Sequence, residues 1–311
     1  MSENHKPAQE LGIGDVLSET FSVYGEGFVK FLAVYLVVEL VLAFVNRAVT
    51  STYVIPQVPV NATSQELLST WFPQVVDNLV PLLVFTLLAT WIFATVALGV
   101  AVKMASQYME GGGVGLGSSL GSVARRLPSL WALSFVVGAC VFLATMALVV
   151  PGIIVAIMFS LTVPAFVVQG IGVSGSLSRS RELVGERWLK TFALGLVLVI
   201  MIGVASIVVN LVAGAFGDWS SVASSLLSSL YMPLIPIGLT VYYYSNVART
   251  TPPPAPDYAA YQIPPPAGPG APLGQQPAAL SPLGYCPACG TAVADVGQSF
   301  CRRCGRNLRT V

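Results

Sequence analysis

Long apolar runs separated by short polar segments dominate the first 245 residues of the chain. A helix needs about 20 mostly apolar residues to cross a bilayer. Six runs meet this requirement, at residues 28–46, 79–102, 129–150, 152–169, 190–215 and 224–244. The third and fourth are separated only by VVPGII, in which Pro151 and Gly152 favour a tight turn. The pattern predicts an all-α integral membrane domain over residues 11–245, with six transmembrane helices arranged as three hairpins.

A short polar segment of similar sequence precedes two of these hairpins. Residues 12–31, GIGDVLSETFSVYGEGFVKF, align without a gap with residues 172–191, GVSGSLSRSRELVGERWLKT, and six positions are identical. Residues 115–133, GLGSSLGSVARRLPSLWAL, are a degenerate third copy. Each copy predicts a short amphipathic helix that lies in the membrane interface and leads into a span. A true repeat and the general similarity of loops that precede spans both remain open as explanations.

Composition and charge support a membrane protein with a defined orientation. Hydrophobic residues make up 55% of the chain and charged residues only 9%, whereas soluble domains carry about a quarter charged residues. Of the 15 lysine and arginine residues, only Arg47 falls on the far side of the predicted spans. The positive-inside rule therefore predicts a cell-membrane protein with both termini in the cytoplasm. Residues 1–10 have no signal-peptide pattern and are predicted to be a disordered N-terminus.

Two polar residues within the spans are candidates for a functional site. Glu39 lies near the middle of the first span, and Asn210 lies in the fifth. A charge at such a depth costs about 3 kcal/mol on insertion scales, so we expect Glu39 to be protonated or paired inside the bundle. A proton or cation site in a transport path and a structural hydrogen bond between helices are both compatible with this pattern. On the far side, Asn61 begins an Asn-Ala-Thr tripeptide, a glycosylation pattern that also arises by chance.

Three stretches of the chain resemble a known family. The segments LGIGDVLSETFSVYGEGFVKFL, PGIIVAIMFSLTVPAFVVQG and SLSRSRELVGERWLKTF are similar to the glycerophosphoryl diester phosphodiesterase membrane-domain family and its uncharacterised relatives. The resemblance covers residues 11–245 and implies a six-helix membrane module whose members exchange cytosolic domains. Some members carry a barrel phosphodiesterase with catalytic histidines, whereas the single histidine here is His5. The resemblance therefore implies no catalytic residue in this chain.

A proline-rich segment and two cysteine pairs follow the apolar region. Residues 246–284 include PPPAPDYAAYQIPPPAGPG and predict an extended, disordered linker. Residues 285–309 contain two Cys-x-x-Cys pairs separated by 11 residues, a spacing that matches a compact zinc ribbon. The four cysteines are Cys286, Cys289, Cys301 and Cys304. Four thiolates fill the tetrahedral coordination of Zn²⁺, so the predicted site is structural rather than catalytic.

Other interpretations of this C-terminal segment are weaker. A rubredoxin-like iron site would have few aromatic residues to shield it, and a reducing cytoplasm disfavours disulfides. Arg302, Arg303 and Arg306 lie where they can offset the negative charge of the metal site. Nucleic-acid binding is the poorer explanation of these arginines, since no aromatic stacking platform accompanies them. The remaining cysteine, Cys140, lies in the third span and is most simply a packing residue.

Taken together, the sequence predicts a non-enzymatic multi-pass membrane protein that tethers a cytosolic zinc ribbon as an interaction or regulatory module. Its partners would be the lipid bilayer and a cytosolic protein. A transporter or permease that uses Glu39 is the alternative. A membrane-embedded lipid or phosphodiester enzyme is the weakest hypothesis, because no catalytic constellation can be assembled from these residues.

Overall fold

The computed structural model describes residues 5–54, 56–58 and 63–250. Over these residues the chain is built from helices joined by short segments, and no strand is present among them. In chain order the helices are α1 Ile13–Glu26, α2 Phe28–Thr52, α3 Ser64–Met109, α4 Leu116–Ala124, α5 Leu127–Ala147, α6 Val149–Gln169, α7 Val173–Gly185, α8 Trp188–Gly214, α9 Ser220–Ser228 and α10 Leu234–Thr250. The predicted all-α class is thus confirmed for this part of the chain.

Five of these helices are long and apolar enough to cross a membrane. They are α2, α3, α5, α6 and α8. Their outward surfaces carry large apolar side chains that are mostly exposed; Leu143 is 67% exposed and Leu211 is 75% exposed. Contiguous apolar surface of this extent requires an apolar surrounding. The architecture is therefore that of a multi-pass helical membrane protein.

The predicted sixth span, residues 224–244, is not one continuous helix. Its residues fall in α9 and α10, which are separated by a turn over residues 229–233. Pro233 lacks the backbone N–H that a helix needs, and a proline also disfavours helical geometry at the residue before it. Neither α9 nor α10 qualifies as a span by its own length, so six spans are not confirmed among the described residues.

Helix α3 begins 15 residues before the predicted start of the second span at residue 79. Thr63 caps its N-terminus, because the Thr63 hydroxyl accepts from the Glu66 backbone N–H while the Glu66 carboxylate accepts from the Thr63 backbone N–H at 2.8 Å. This reciprocal pairing satisfies amide groups that have no partner within the helix. A π-helical turn follows at Leu67–Trp71. Much of the predicted external loop over residues 47–78 is therefore helical, while Asn61 lies outside the described residues.

The turn between α5 and α6 lies at Leu148, three residues before the predicted Pro151–Gly152 turn. Leu148 is extended, with φ −164° and ψ 148°, and α6 has already begun at Val149. Pro151 lies in the first turn of α6, where its missing N–H has no helical acceptor in any case. Gly152 is buried against α5, and a Cβ atom there would lie 2.9 Å from the Thr145 Cα. Glycine is thus needed for the close approach of two helices rather than for the turn itself.

Three short helices, α1, α4 and α7, each come directly before a long helix. Each follows an N-cap glycine with extended backbone; the three are Gly12, Gly115 and Gly172. Each short helix also packs against another helix of the bundle. Helix α1 packs on α10, from the other end of the described chain, whereas α4 and α7 pack on the helices that precede them, α3 and α6. Helices α3, α6 and α10 in turn pack against one another. We call the end of the bundle that carries the three short helices the basic end.

The best-packed part of the molecule lies at this basic end. One cluster of fully or almost fully buried side chains joins the short helices to α3, α6 and α10. Its largest members include Phe31, Met104, Phe166 and Tyr242, none of which is more than 2% exposed. Dense packing of large side chains restricts the relative motion of the helices that supply them. The basic end is therefore the rigid platform on which the polar groups described next are positioned.

Candidate functional site

Three basic side chains connect the short helices in a closed cycle. Each basic residue lies in the first turn of a long helix or immediately before it. Its side chain donates a hydrogen bond to a backbone carbonyl near another short helix, and that carbonyl belongs to the residue just before the N-cap glycine. The pairs are Lys30 with Val114, Arg126 with Ile171, and Lys190 with Leu11. These carbonyls lie before their helices begin, so they have no acceptor role within a helix and need a donor from elsewhere. The basic residue that follows α1 contacts the start of α4, the one that follows α4 contacts the start of α7, and the one that follows α7 contacts the start of α1.

The third link of this cycle is reinforced by a carboxylate. Lys190 Nζ lies 2.6 Å from both Glu10 Oε1 and the Leu11 carbonyl oxygen, and Arg187 Nη2 lies 3.2 Å from Glu10 Oε2. Burial raises the pKa of Glu10, but the hydrogen bond and charge of Lys190, with the charges of Arg187 and Arg249, outweigh it. The net pKa of Glu10 lies below its ordinary value of 4.5. Residues before 11, predicted to be disordered, thus include a side chain that is held by α8.

The lowered pKa of Glu10 predicts that the free energy of unfolding depends on pH. A carboxylate whose pKa is lower in the folded state stabilises that state above its unfolded pKa. This stabilisation is lost as the pH falls from about 4.5 through the folded pKa, because Glu10 then binds a proton and loses its ion pairs. We expect Glu10→Gln to lower the unfolding temperature of the detergent-purified protein at pH 7, with a smaller further decrease on acidification than in the wild type. Glu26→Gln, at an exposed position at the end of α1, should keep the wild-type profile; identical profiles for all three proteins would contradict the assignment.

The end of α10 is also held at the basic end. Arg249 Nη1 lies 2.6 Å from Glu186 Oε2, in the short connection between α7 and α8. Tyr244 donates its hydroxyl to Glu110 Oε1 at 2.9 Å, just beyond the end of α3. Every lysine and arginine among the described residues lies at this end except Arg47, whose guanidinium stacks on Trp219 at 5.6 Å. The last described helix, α10, thus ends at Thr250 next to an anchored arginine within a basic surface.

The structure does not pair the two predicted intramembrane polar residues with each other. Asn210 on α8 donates to the Ser206 carbonyl at 2.8 Å and accepts from the Ser224 hydroxyl of α9 at 3.0 Å. Glu39 on α2 is partly buried and forms no hydrogen bond or ion pair with another described residue. Asn210 therefore joins α8 to α9, which is the structural role left open by the sequence. Glu39 has no such explanation.

The predicted zinc ligands Cys286, Cys289, Cys301 and Cys304 lie outside the described residues. Within the part of the chain that the structure describes, no three His, Cys, Asp or Glu residues are grouped closely enough to hold a metal ion. Cys140 is an exposed free cysteine on α5. The zinc site therefore stays a prediction that depends on the spacing of the cysteines.

In the sequence, Lys30, Arg126 and Lys190 contribute to the predicted orientation, and no pattern indicates a further role for them. The aligned copies did place Lys30 opposite Lys190, 18 residues after Gly12 and Gly172 respectively. A shared basic residue at a fixed distance from an N-cap glycine was therefore the available indication. Its acceptor could not be identified in the same way, because Leu11 is 179 residues away from Lys190.

Comparison with known proteins identifies the family of the membrane region alone. No curated protein and no solved structure matches the chain. The family described as "Domain of unknown function (DUF7847)" matches residues 64–247, which extend from the first turn of α3 to the last turn of α10 and include the short helices α4 and α7. This match covers more than half of the 311 residues, and the chain belongs to the DUF7847 family.

Proposed function

We propose that this protein is a non-enzymatic multi-pass membrane protein that tethers a cytosolic zinc ribbon as an interaction or regulatory module. The observation that carries this proposal is the anchored exit of the chain. Arg249, next to the last described residue, is held by Glu186 and by the Leu183 carbonyl within the basic end. A proline-rich spacer and four cysteines with zinc-ribbon spacing follow in the sequence. A fixed exit point defines where a tethered module can reach.

The membrane region in this proposal consists of three units, each a short interfacial helix followed by two crossing helices. The closed cycle of Lys30, Arg126 and Lys190 supports it, because three equivalent links are expected if three similar units surround one axis. In the third unit, α9 and α10 together would make the second crossing as a broken pair. Helices broken at proline are tolerated in membranes where neighbouring protein covers the freed backbone groups. This arrangement has six crossings and three hairpins.

The basic end faces the cytoplasm in this proposal. Its cations include the three residues of the cycle and Arg249, whereas the opposite end carries Arg47. Short loops rich in lysine and arginine are retained on the cytoplasmic side during insertion. Both chain termini, and with them the zinc ribbon, would then lie in the cytoplasm. The resemblance to the glycerophosphoryl diester phosphodiesterase membrane-domain family is part of the same proposal, since it implies a membrane module with exchangeable cytosolic domains.

Truncation after Thr250 tests whether the bundle folds without the tail and whether the tail binds the cytosolic partner. We expect the truncated protein to remain monodisperse in detergent with an unchanged unfolding temperature, because the proline-rich composition of residues 246–284 predicts an extended linker that separates the tail from the bundle. Cytosolic proteins cross-linked to the full chain in cells should be lost from the truncated protein and from a Cys301→Ser/Cys304→Ser variant. Aggregation of the truncated bundle, or an unchanged set of cross-linked proteins, would contradict an independent tethered module.

Glu39 supports a second candidate function, transport of a proton or cation. Its carboxyl lies within α2 with no hydrogen bond among the described residues, and the buried Asn46 Oδ1 two turns along the same helix also lacks a partner. Ionisable groups placed inside membrane helices commonly mark ion pathways. We expect Glu39→Gln to abolish ion flux in liposomes if this function is correct, while Asn210→Ala reduces stability alone. Equal flux in the wild type and Glu39→Gln would exclude it.

A further inference from the structure

A small cavity at the basic end brings together two cations. It lies where α3, α4 and α5 meet the C-terminal segment of α6, Thr162–Gln169, which follows a turn at residues 159–161. Its volume is about 120 Å³. Lys103, Arg126 and Ser122 supply its polar lining. Val123, Leu130, Phe166 and Val167 supply the apolar part. No carboxylate is among these lining residues, so the cavity carries an unbalanced positive charge.

Arg126 is fixed in position without being neutralised. Its guanidinium donates to the carbonyls of Phe166, Gly170 and Ile171, and its Cζ lies 4.6 Å from the centroid of the Phe166 ring. Carbonyl and ring contacts orient a guanidinium and satisfy some of its donors, but they carry no net negative charge. The positive charge of Arg126 is thus presented to the cavity by a rigid support.

Lys103 supplies the second charge and has no partner of its own. It lies in the last two turns of α3 and is partly buried. Its backbone carbonyl accepts from the Ser106 hydroxyl at 2.8 Å, but its ammonium group makes no hydrogen bond or ion pair with another described residue. The nearest acidic residue along the chain, Glu110, accepts from Tyr244 at 2.9 Å and lies 3.8 Å from Lys6. Two like charges in a small, partly desolvated space repel each other unless an anion joins them. The arrangement is therefore incomplete without a negative group.

We infer that this cavity binds a phosphate group, supplied by the headgroup of an anionic phospholipid. A cavity of about 120 Å³ has room for one phosphate group. Lys103 and Arg126 would donate to its oxygens, and the Ser122 hydroxyl, which now donates to the Ser119 carbonyl at 3.2 Å, is available to turn toward it. Basic pockets between membrane helices on the cytoplasmic side bind anionic headgroups in this way. Free inorganic phosphate has the same chemistry and is the other source.

Lipid titrations of the full-length protein in detergent separate these sources. Native mass spectrometry measures retention of phosphatidylglycerol against phosphatidylcholine, and thermal unfolding measures stabilisation by inorganic phosphate. We expect phosphatidylglycerol to bind more tightly than phosphatidylcholine. Its binding should weaken as the salt concentration is raised, because salt screens the charges. Lys103→Gln should weaken phosphatidylglycerol binding about tenfold, as expected for loss of one charged hydrogen bond, and Lys103→Arg should restore most of it.

Arg125→Gln is the matched control, because Arg125 is an exposed neighbour with the same charge that does not line the cavity. It should bind phosphatidylglycerol as the wild type does. Stabilisation by inorganic phosphate that depends on Lys103, without preference for phosphatidylglycerol, would assign the site to free phosphate and overturn the lipid source. Equal retention of both lipids with no phosphate effect, or equal losses in Lys103→Gln and Arg125→Gln, would overturn the site itself. None of these results depends on whether the tail binds zinc.

Discussion

Replacing Cys286 and Cys289 together with serine is expected to abolish zinc binding by the full-length protein. The spacing of the cysteines brings two thiolates from each pair to one tetrahedral ion, and removal of one pair leaves only half of the ligands. In small zinc domains metal binding supplies about 10–16 kcal/mol and is coupled to folding, so the effect should be complete rather than partial. Metal analysis of the purified protein should give one zinc per wild-type chain and none in the variant.

The chain offers its own control for this experiment. Cys140→Ser removes the cysteine on α5, an exposed residue that belongs to neither pair, and should leave the zinc content unchanged. Thermal unfolding of the bundle should be the same in the wild type and both variants, because the predicted linker over residues 246–284 separates the four predicted ligands from the bundle. Zinc retained by the double-serine protein, or a wild-type protein that stays metal-free after expression with added zinc, would refute the zinc ribbon.

Replacing Gly152 with alanine is expected to destabilise the bundle by about 1–3 kcal/mol, in the range of overpacked cores. The added Cβ would lie 2.9 Å from the Thr145 Cα, which belongs to the backbone of α5. A backbone atom cannot rotate away, so the last turn of α5 and the first turn of α6 would have to separate on either side of Leu148. Unfolding of the purified protein by titration with a denaturing detergent measures the change.

Gly138→Ala on α5 is the comparison that makes this result specific. Gly138 also lies within a helix, but a Cβ there would meet nothing within 4 Å. Alanine in a helix is favoured over glycine by up to about 1 kcal/mol, so Gly138→Ala should be neutral or stabilising. The two substitutions are therefore expected to have opposite signs. Destabilisation of similar size at both positions would show that close approach at Gly152 is unimportant.

The positions of the membrane helices were largely predictable, whereas their ends were not. The predicted starts at residues 28 and 190 are within two residues of the observed starts of α2 and α8. Hydrophobic runs locate a span because they report the free energy of transfer into lipid. The start of α3 depends instead on the Thr63–Glu66 capping box, and the interruption near Pro233 depends on local backbone chemistry. These local effects are invisible to a hydropathy argument.

The residues of the candidate sites were also predictable in part, whereas their contacts were not. The alignment of residues 12–31 with 172–191 identified Lys30 and Lys190 as equivalent, and the cysteine spacing made a zinc ribbon the leading prediction. Glu39 and Asn210 were selected from sequence as candidates for a functional site, but the side chain of Asn210 forms hydrogen bonds with Ser206 and Ser224. A polar residue in a span can be recognised in the sequence, since its cost of burial is a property of the residue alone. Its partner is a property of helix packing.

Amino-acid order alone is enough to establish an all-helical membrane protein with charge concentrated at one end, because transfer free energies and local periodicity depend on neighbouring residues. Amino-acid order could not establish which residues from distant parts of the chain meet at the basic end. Leu11 meets Lys190, and Arg126 meets Lys103 across one cavity, only after α1 packs on α10 and α4 packs on α3. Such contacts arise from the combined packing of many side chains at the basic end. They become visible only once that packing is known.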